Sequence, residues 1–128
     1  MIRVLFVDDD AATRTGYSHY LAANGYDVIP AATGHDALTA AQTSELDVIV
    51  LDLGLPDIDG WEVARRLKAW PATAHVPIIA LTGADLPHER VSAMRAGCDR
   101  HLAKPCQPED LIDAIRRALA PGREAGQP

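Results

Sequence analysis

Five charged residues lie just past apolar runs: Asp8, Asp9 and Asp10 follow Ile2-Val7, Asp52 follows Val48-Leu51, and Lys104 follows Leu102-Ala103. Each run has the composition of a buried parallel strand, and in an open parallel sheet the ligand crevice lies outside the carboxyl ends of the strands. Two carboxylates about 4 Å apart repel by up to ~4 kcal/mol at an effective dielectric near 20. A cluster of Asp8, Asp9 and Asp52 therefore requires a cation or protons. An all-oxygen ligand set without His or Cys favours Mg²⁺, Mn²⁺ or Ca²⁺ over zinc, and a few protein ligands with several retained waters suit Mg²⁺ best, with Mn²⁺ as a substitute. Such a site can accept a phosphoryl group if a carboxylate attacks phosphorus while metal and ammonium neutralise the equatorial oxygens. Asp52 stands alone at the end of the most apolar strand and is the candidate nucleophile. Lys104 would pair with the phosphoryl oxygens, and Thr82 would donate a hydrogen bond to one of them.

The elements that must position these residues alternate five times between short apolar runs and helical patterns, the mark of repeated βα units and an α/β fold. Strands are expected at Ile2-Val7, Tyr26-Pro30, Asp47-Leu51, Pro77-Leu81 and Asp99-Ala103. Helices are expected at about Ala11-Asn24, Gly34-Gln42, Trp61-Trp70, from Asp85 and Pro87 to Gly97, and at Pro108-Ala120. Residues 1–120 form the expected domain and 121–128 a flexible tail.

At 128 residues the chain supports one domain with its own core and leaves no room for a second catalytic or DNA-binding module. The net charge of −6 argues against direct nucleic-acid binding by general attraction to phosphates. No stretch approaches the ~20 apolar residues that span a bilayer, so membrane insertion is not expected and a cytoplasmic location is. Cys98 and Cys106 lack CxxC spacing and are expected as free thiols in a reducing compartment.

Four segments carry a family resemblance: Val7-Asp8-Asp9-Asp10, Leu51-Asp52-Leu53-Gly54-Leu55-Pro56-Asp57-Ile58-Asp59-Gly60, Ala80-Leu81-Thr82-Gly83 and Ala103-Lys104-Pro105. In this order they resemble the signature segments of response-regulator receiver domains of two-component signalling, over about residues 2 to 120. The resemblance implies a flavodoxin-like, doubly wound, five-stranded parallel sheet of order 2-1-3-4-5 with five helices. It implies Asp52 as phosphoacceptor, Asp9 as direct Mg²⁺ ligand, Asp8 acting on the metal mainly through water, and the Gly54 carbonyl as a backbone ligand. Thr82 becomes the switch hydroxyl, Lys104 the phosphate-binding lysine, and Lys104-Pro105 a cis peptide. The phosphoryl donor would be a sensor histidine kinase or a phosphotransfer protein, and a downstream protein target would be met through the region 85–120. Catalysis would be limited to the domain's own aspartyl phosphorylation and dephosphorylation.

Two positions depart from the family pattern. His101 stands where receivers commonly place a switch Tyr or Phe, and Cys106 where an apolar residue, often Phe, follows the Lys-Pro pair. Other residues have plainer roles. Asp10 is expected to cap a helix, and Asp57 and Asp59 to cap or form turns. Tyr17, Tyr20, Trp61 and Trp70 are packing residues, and His19, His35, His75 and His88 lack metal-ligand spacing. Two rival functions remain: a haloacid-dehalogenase-type phosphatase, for which Asp8-Asp9-Asp10 fits superficially but Ala12 does not, and a pseudo-receiver that docks without being phosphorylated. The Met1 start and short tail favour a free-standing regulator over a unit cut from a longer protein.

Overall fold

The computed structural model describes residues 1–83 and 97–120. Five parallel strands, β1 (Arg3–Val7), β2 (Asp27–Ala31), β3 (Val48–Asp52), β4 (Ile78–Thr82) and β5 (Arg100–Ala103), form one sheet of order β2-β1-β3-β4-β5. Four helices are described: α1 (Ala11–Ala23), α2 (Gly34–Thr43), α3 (Gly60–Ala69) and α4 (Pro108–Leu119). This is the doubly wound, flavodoxin-like arrangement. The helix expected between Asp85 and Gly97, and the tail at 121–128, fall outside the described residues. No helix among the described residues is long and apolar enough to cross a membrane.

Alternation along the strands splits the core in two. Leu5, Val7, Ile49, Leu51, Ile78 and Ala80 face α2 and α3, where Ala37, Leu38, Val63 and Leu67 meet them. Val4, Phe6, Val48, Val50, Ile79 and Leu81 face α1 and α4, against Leu21, Leu111, Ile112 and Ile115. Tyr17 and Tyr20 pack on the second cluster, and Trp61 and Trp70 on the first, as packing residues should.

Local chemistry sets the boundaries. Asp10 caps α1, its carboxylate accepting from the Thr13 N–H at 2.8 Å. Tyr26 does not open β2 as expected, because its N–H is spent on the Leu21 carbonyl at the end of α1. The strand starts instead at Asp27, paired in register with Arg3. Asp52 and Thr82 are not loop residues past their strands but the last residues of β3 and β4. The strand before Lys104 is also not buried: β5 is the sheet edge, and its residues are half-buried or exposed.

Candidate functional site at the carboxyl edge of the sheet

Because β1 and β3 are neighbours in register, with Val7 opposite Leu51, their carboxyl ends bring Asp8 and Asp9 beside Asp52. One carboxylate oxygen from each of Asp8, Asp9 and Asp52 lies within 4.8 Å of the others. Asp8 and Asp52 are buried and Asp9 is exposed. Lys104 enters from β5, whose neighbour β4 ends level with it: Thr82 pairs with Ala103, and the Lys104 N–H donates to the Thr82 carbonyl at 2.7 Å. The Lys104 Nζ lies 3.0 Å from Asp8 Oδ2 and 3.5 Å from Asp52 Oδ2. The Lys104–Pro105 peptide bond is cis. Thr82 is buried at its strand end, and His101 lies half-buried on β5, opposite Ala80. Asp10 turns away to its capping role and its carboxylate is outside the three-carboxylate cluster.

The loop after β3 is held by its own chemistry. The Gly54 N–H donates to Asp52 Oδ1 at 3.0 Å, fixing one carboxylate oxygen, and the Leu53 N–H donates to the Leu81 carbonyl. Gly60 closes the loop onto Leu53; a Cβ there would collide with the Leu53 Cα and the Asp52 carbonyl oxygen, so the close approach requires glycine. Asp57 does more than form a turn. Its carboxylate accepts from the Gly34 and His35 N–H groups at 2.8 and 3.0 Å, so it ties this loop to the amino end of α2.

Burial pushes the Asp52 carboxyl above the ordinary aspartate range; the Gly54 N–H and Lys104 oppose this and the charge of Asp8 adds to it. Lys104 is raised as well: burial works against its charge, but the hydrogen bond to Asp8 and the charge of Asp52 outweigh burial. The folded chain therefore keeps a proton on Asp52 at a pH where the unfolded chain has lost it. Stability contributed by this group falls as pH rises through the folded value, and at neutral pH the ionised Asp52 is a strained charge. Asp52→Asn should accordingly raise the melting temperature at pH 7 without divalent cations, by about 4 °C if the gain is on the order of 1 kcal/mol. The difference should fade toward about pH 3, where both states carry the proton. Thermal melts at the two pH values check this; a mutant less stable than wild type at pH 7 would contradict it.

Three contributors make contacts whose partners the sequence patterns do not specify. Arg14 donates from Nη1 to the Asp8 main-chain carbonyl at 2.9 Å, bracing the end of β1. Asp57 reaches α2 across 23 residues, and the Tyr17 hydroxyl donates to the Cys106 carbonyl across 89. All three depend on how elements lie in space, and only an arginine one turn into α1 hints at the first.

The sequence model of the response regulator receiver domain matches residues 4–116 of this chain. The chain belongs to this family. It is a receiver domain of two-component signalling. It is 39% identical over 118 residues to the response regulator MprA of Mycobacterium sp. (strain KMS), covering 92% of this chain and 50% of that protein. Its likeness to MprA of Mycobacterium leprae (strain TN) is 40%, over 92% of this chain and 51% of that protein. The chain thus spans about half the length of these curated relatives. Among solved structures, a CheY-like receiver domain protein from Methanospirillum hungatei JF-1 superposes with a TM-score of 0.90 at 28% identity, over 98% of this chain and 99% of that one. The receiver domain of the sensor histidine kinase PA1611 from Pseudomonas aeruginosa PAO1, solved with a magnesium ion coordinated in its active-site cleft, superposes with a TM-score of 0.86 at 32% identity, over 92% of this chain and 97% of that one.

Proposed function

We propose that this domain, residues 1–120, takes a phosphoryl group from a sensor histidine kinase or a phosphotransfer protein onto Asp52 and signals by a conformational switch. The observation that carries the reading is the Lys104 ammonium set between Asp8 and Asp52 at 3.0 and 3.5 Å, beside a cluster of three carboxylates. The donor set is all oxygen and its charge exceeds that of the one ammonium paired with it, which fits a hard divalent cation. The magnesium in the PA1611 receiver points the same way. Asp9 directly, Asp8 mainly through water, Asp52 and the Gly54 carbonyl would hold Mg²⁺, or Mn²⁺ in its place, and when bound it would supply positive charge against the phosphoryl oxygens.

The chain's own residues divide the rest of the work. The Gly54 N–H orients Asp52 by holding Oδ1. Asp52 ionises against its burial because Gly54 and Lys104 favour the charged form, and the carboxylate oxygen then attacks phosphorus as the donor's nitrogen leaves. Lys104 follows the negative charge from the carboxylates to the phosphoryl oxygens. Those oxygens are strong acceptors, so the Thr82 hydroxyl is drawn toward Asp52, and His101 on the adjoining strand responds to the space released. The downstream protein is met through the region 85–120, of which the described part is β5 and α4. In the cytoplasm both cysteines stay reduced, in keeping with free Cys98 and Cys106. Convergence of acceptor, lysine and acidic pair weighs against a pseudo-receiver. Asp52 inside the cluster weighs against the phosphatase reading, which leaves it idle.

Asp9→Ala should weaken Mg²⁺ binding at least ten-fold, roughly the loss of one charged ligand, whereas Asp10→Ala, which removes a cap, should leave it nearly unchanged. Fluorescence titration with Mg²⁺, using Trp61 at the start of α3 as reporter, tests both. Equal losses would show that the ligands are placed wrongly.

A further inference from the structure

We infer that Tyr17 is a positioning residue for phosphoryl transfer, its hydroxyl pinning the turn that delivers Lys104. The inference rests on the reading of Asp52 as phosphoacceptor and Lys104 as its phosphate-binding cation. Lys104 reaches the carboxylates from a short turn, Lys104-Pro105-Cys106, that joins edge strand β5 to α4. One side of that turn is fixed by the sheet, through the Lys104 N–H on the Thr82 carbonyl at 2.7 Å. The other side is fixed from α1, by the Tyr17 hydroxyl donating to the Cys106 carbonyl, with Cys106 Sγ 3.7 Å from the same oxygen.

Tyr17 is itself anchored near the acidic end of the site. Its ring lies 5.6 Å from that of Phe6, centroid to centroid and tilted by 31°, and Phe6 is two residues before Asp8 on the chain. One side chain therefore links the segment carrying Asp8 to the turn carrying Lys104. The ring also lines an apolar groove of ≈ 330 Å³ with Ala12, Gly16, Tyr20 and Pro108, the first residue of α4. Burial, followed by the contact with Cys106, pushes the Tyr17 hydroxyl up to about 12, so it remains a protonated donor throughout the working range. A mere packing ring would need neither the hydroxyl nor a carbonyl opposite it.

Tyr17→Phe keeps the ring on Phe6 and removes only the pin, so it separates the two roles. With acetyl phosphate as donor, we expect the maximal phosphorylation rate to fall about five-fold, the usual worth of one hydrogen bond, while the half-saturating Mg²⁺ concentration stays within two-fold of wild type, roughly the scatter of a neutral change. Beryllofluoride binding at saturating Mg²⁺ should weaken by a similar factor, since it reports the reach of Lys104 without chemistry. An unchanged maximal rate, or a parallel loss of Mg²⁺ affinity, would overturn the inference. Should the variant not fold, the wild type decides: a Tyr17 hydroxyl proton protected from exchange in its NMR spectrum supports the pin, and a freely exchanging one overturns it. Lys104→Ala run alongside separates the two layers. If it phosphorylates like wild type, the phosphate-site reading falls and this inference with it; if it is slow while Tyr17→Phe is unimpaired, this inference falls alone.

Discussion

Asp52→Asn should abolish phosphorylation of the isolated domain by acetyl phosphate and Mg²⁺, where the wild type gains a single adduct of roughly 80 Da, one phosphoryl group. The expectation follows from what the substitution leaves in place. Asparagine keeps the volume and an oxygen able to accept the Gly54 N–H, so the loop from Leu53 to Asp59 keeps its closure. It removes the charge that burial already strains and the oxygen that must attack. Asp8 cannot substitute: it is fully buried, and its carboxylate is occupied by the Asp10 N–H and the Lys104 ammonium. Asp9 is exposed but belongs to the metal-binding part of the site. Intact-mass measurement of wild type and mutant after the same exposure decides it. An undiminished adduct in the mutant would move the acceptor elsewhere in the acidic cluster.

The parts of this molecule that could be read from sequence are those written in short-range patterns. Val48-Leu51 and Pro77-Leu81 announce buried strands by continuous apolar character, and Asp10 announces a helix start by lying just before helical periodicity. The charged residues at strand ends then mark the site, because parallel strands share one carboxyl edge. The order 2-1-3-4-5 does not follow from periodicity, which is blind to which strand pairs with which; it came from the resemblance carried by four segments. Strand limits slipped by a residue where a backbone N–H was already committed, as at Tyr26, or where pairing ran to the functional residue itself, as at Asp52. The edge position of β5, and hence its half-burial, is a consequence of that same order. The supports from Arg14, Tyr17 and Asp57 were illegible because each joins elements that only the folded sheet brings together.

Lys104→Ala should change two properties in opposite directions. The Lys104 ammonium lies between Asp8 and Asp52 at 3.0 and 3.5 Å; burial works against its charge, but the hydrogen bond to Asp8 and the charge of Asp52 outweigh burial and raise its pKa. A divalent cation must compete with it for the same oxygens. Without it, three carboxylates within 4.8 Å of one another have lost a neutralising partner, so Mg²⁺ should bind more tightly, by about three- to ten-fold if the relief is on the order of 1 kcal/mol. Phosphorylation should nevertheless slow about 100-fold, the usual cost of removing one preorganised charge from developing phosphoryl oxygens. The slowing should persist at saturating Mg²⁺, because the deficit lies in the transfer and not in the metal. Fluorescence titration and phosphorylation by acetyl phosphate over a range of Mg²⁺ concentrations measure the two effects on one preparation. Weaker Mg²⁺ binding would mean that Lys104 organises the carboxylates for the metal instead of competing with it, and an unimpaired rate would remove the lysine from the transfer step.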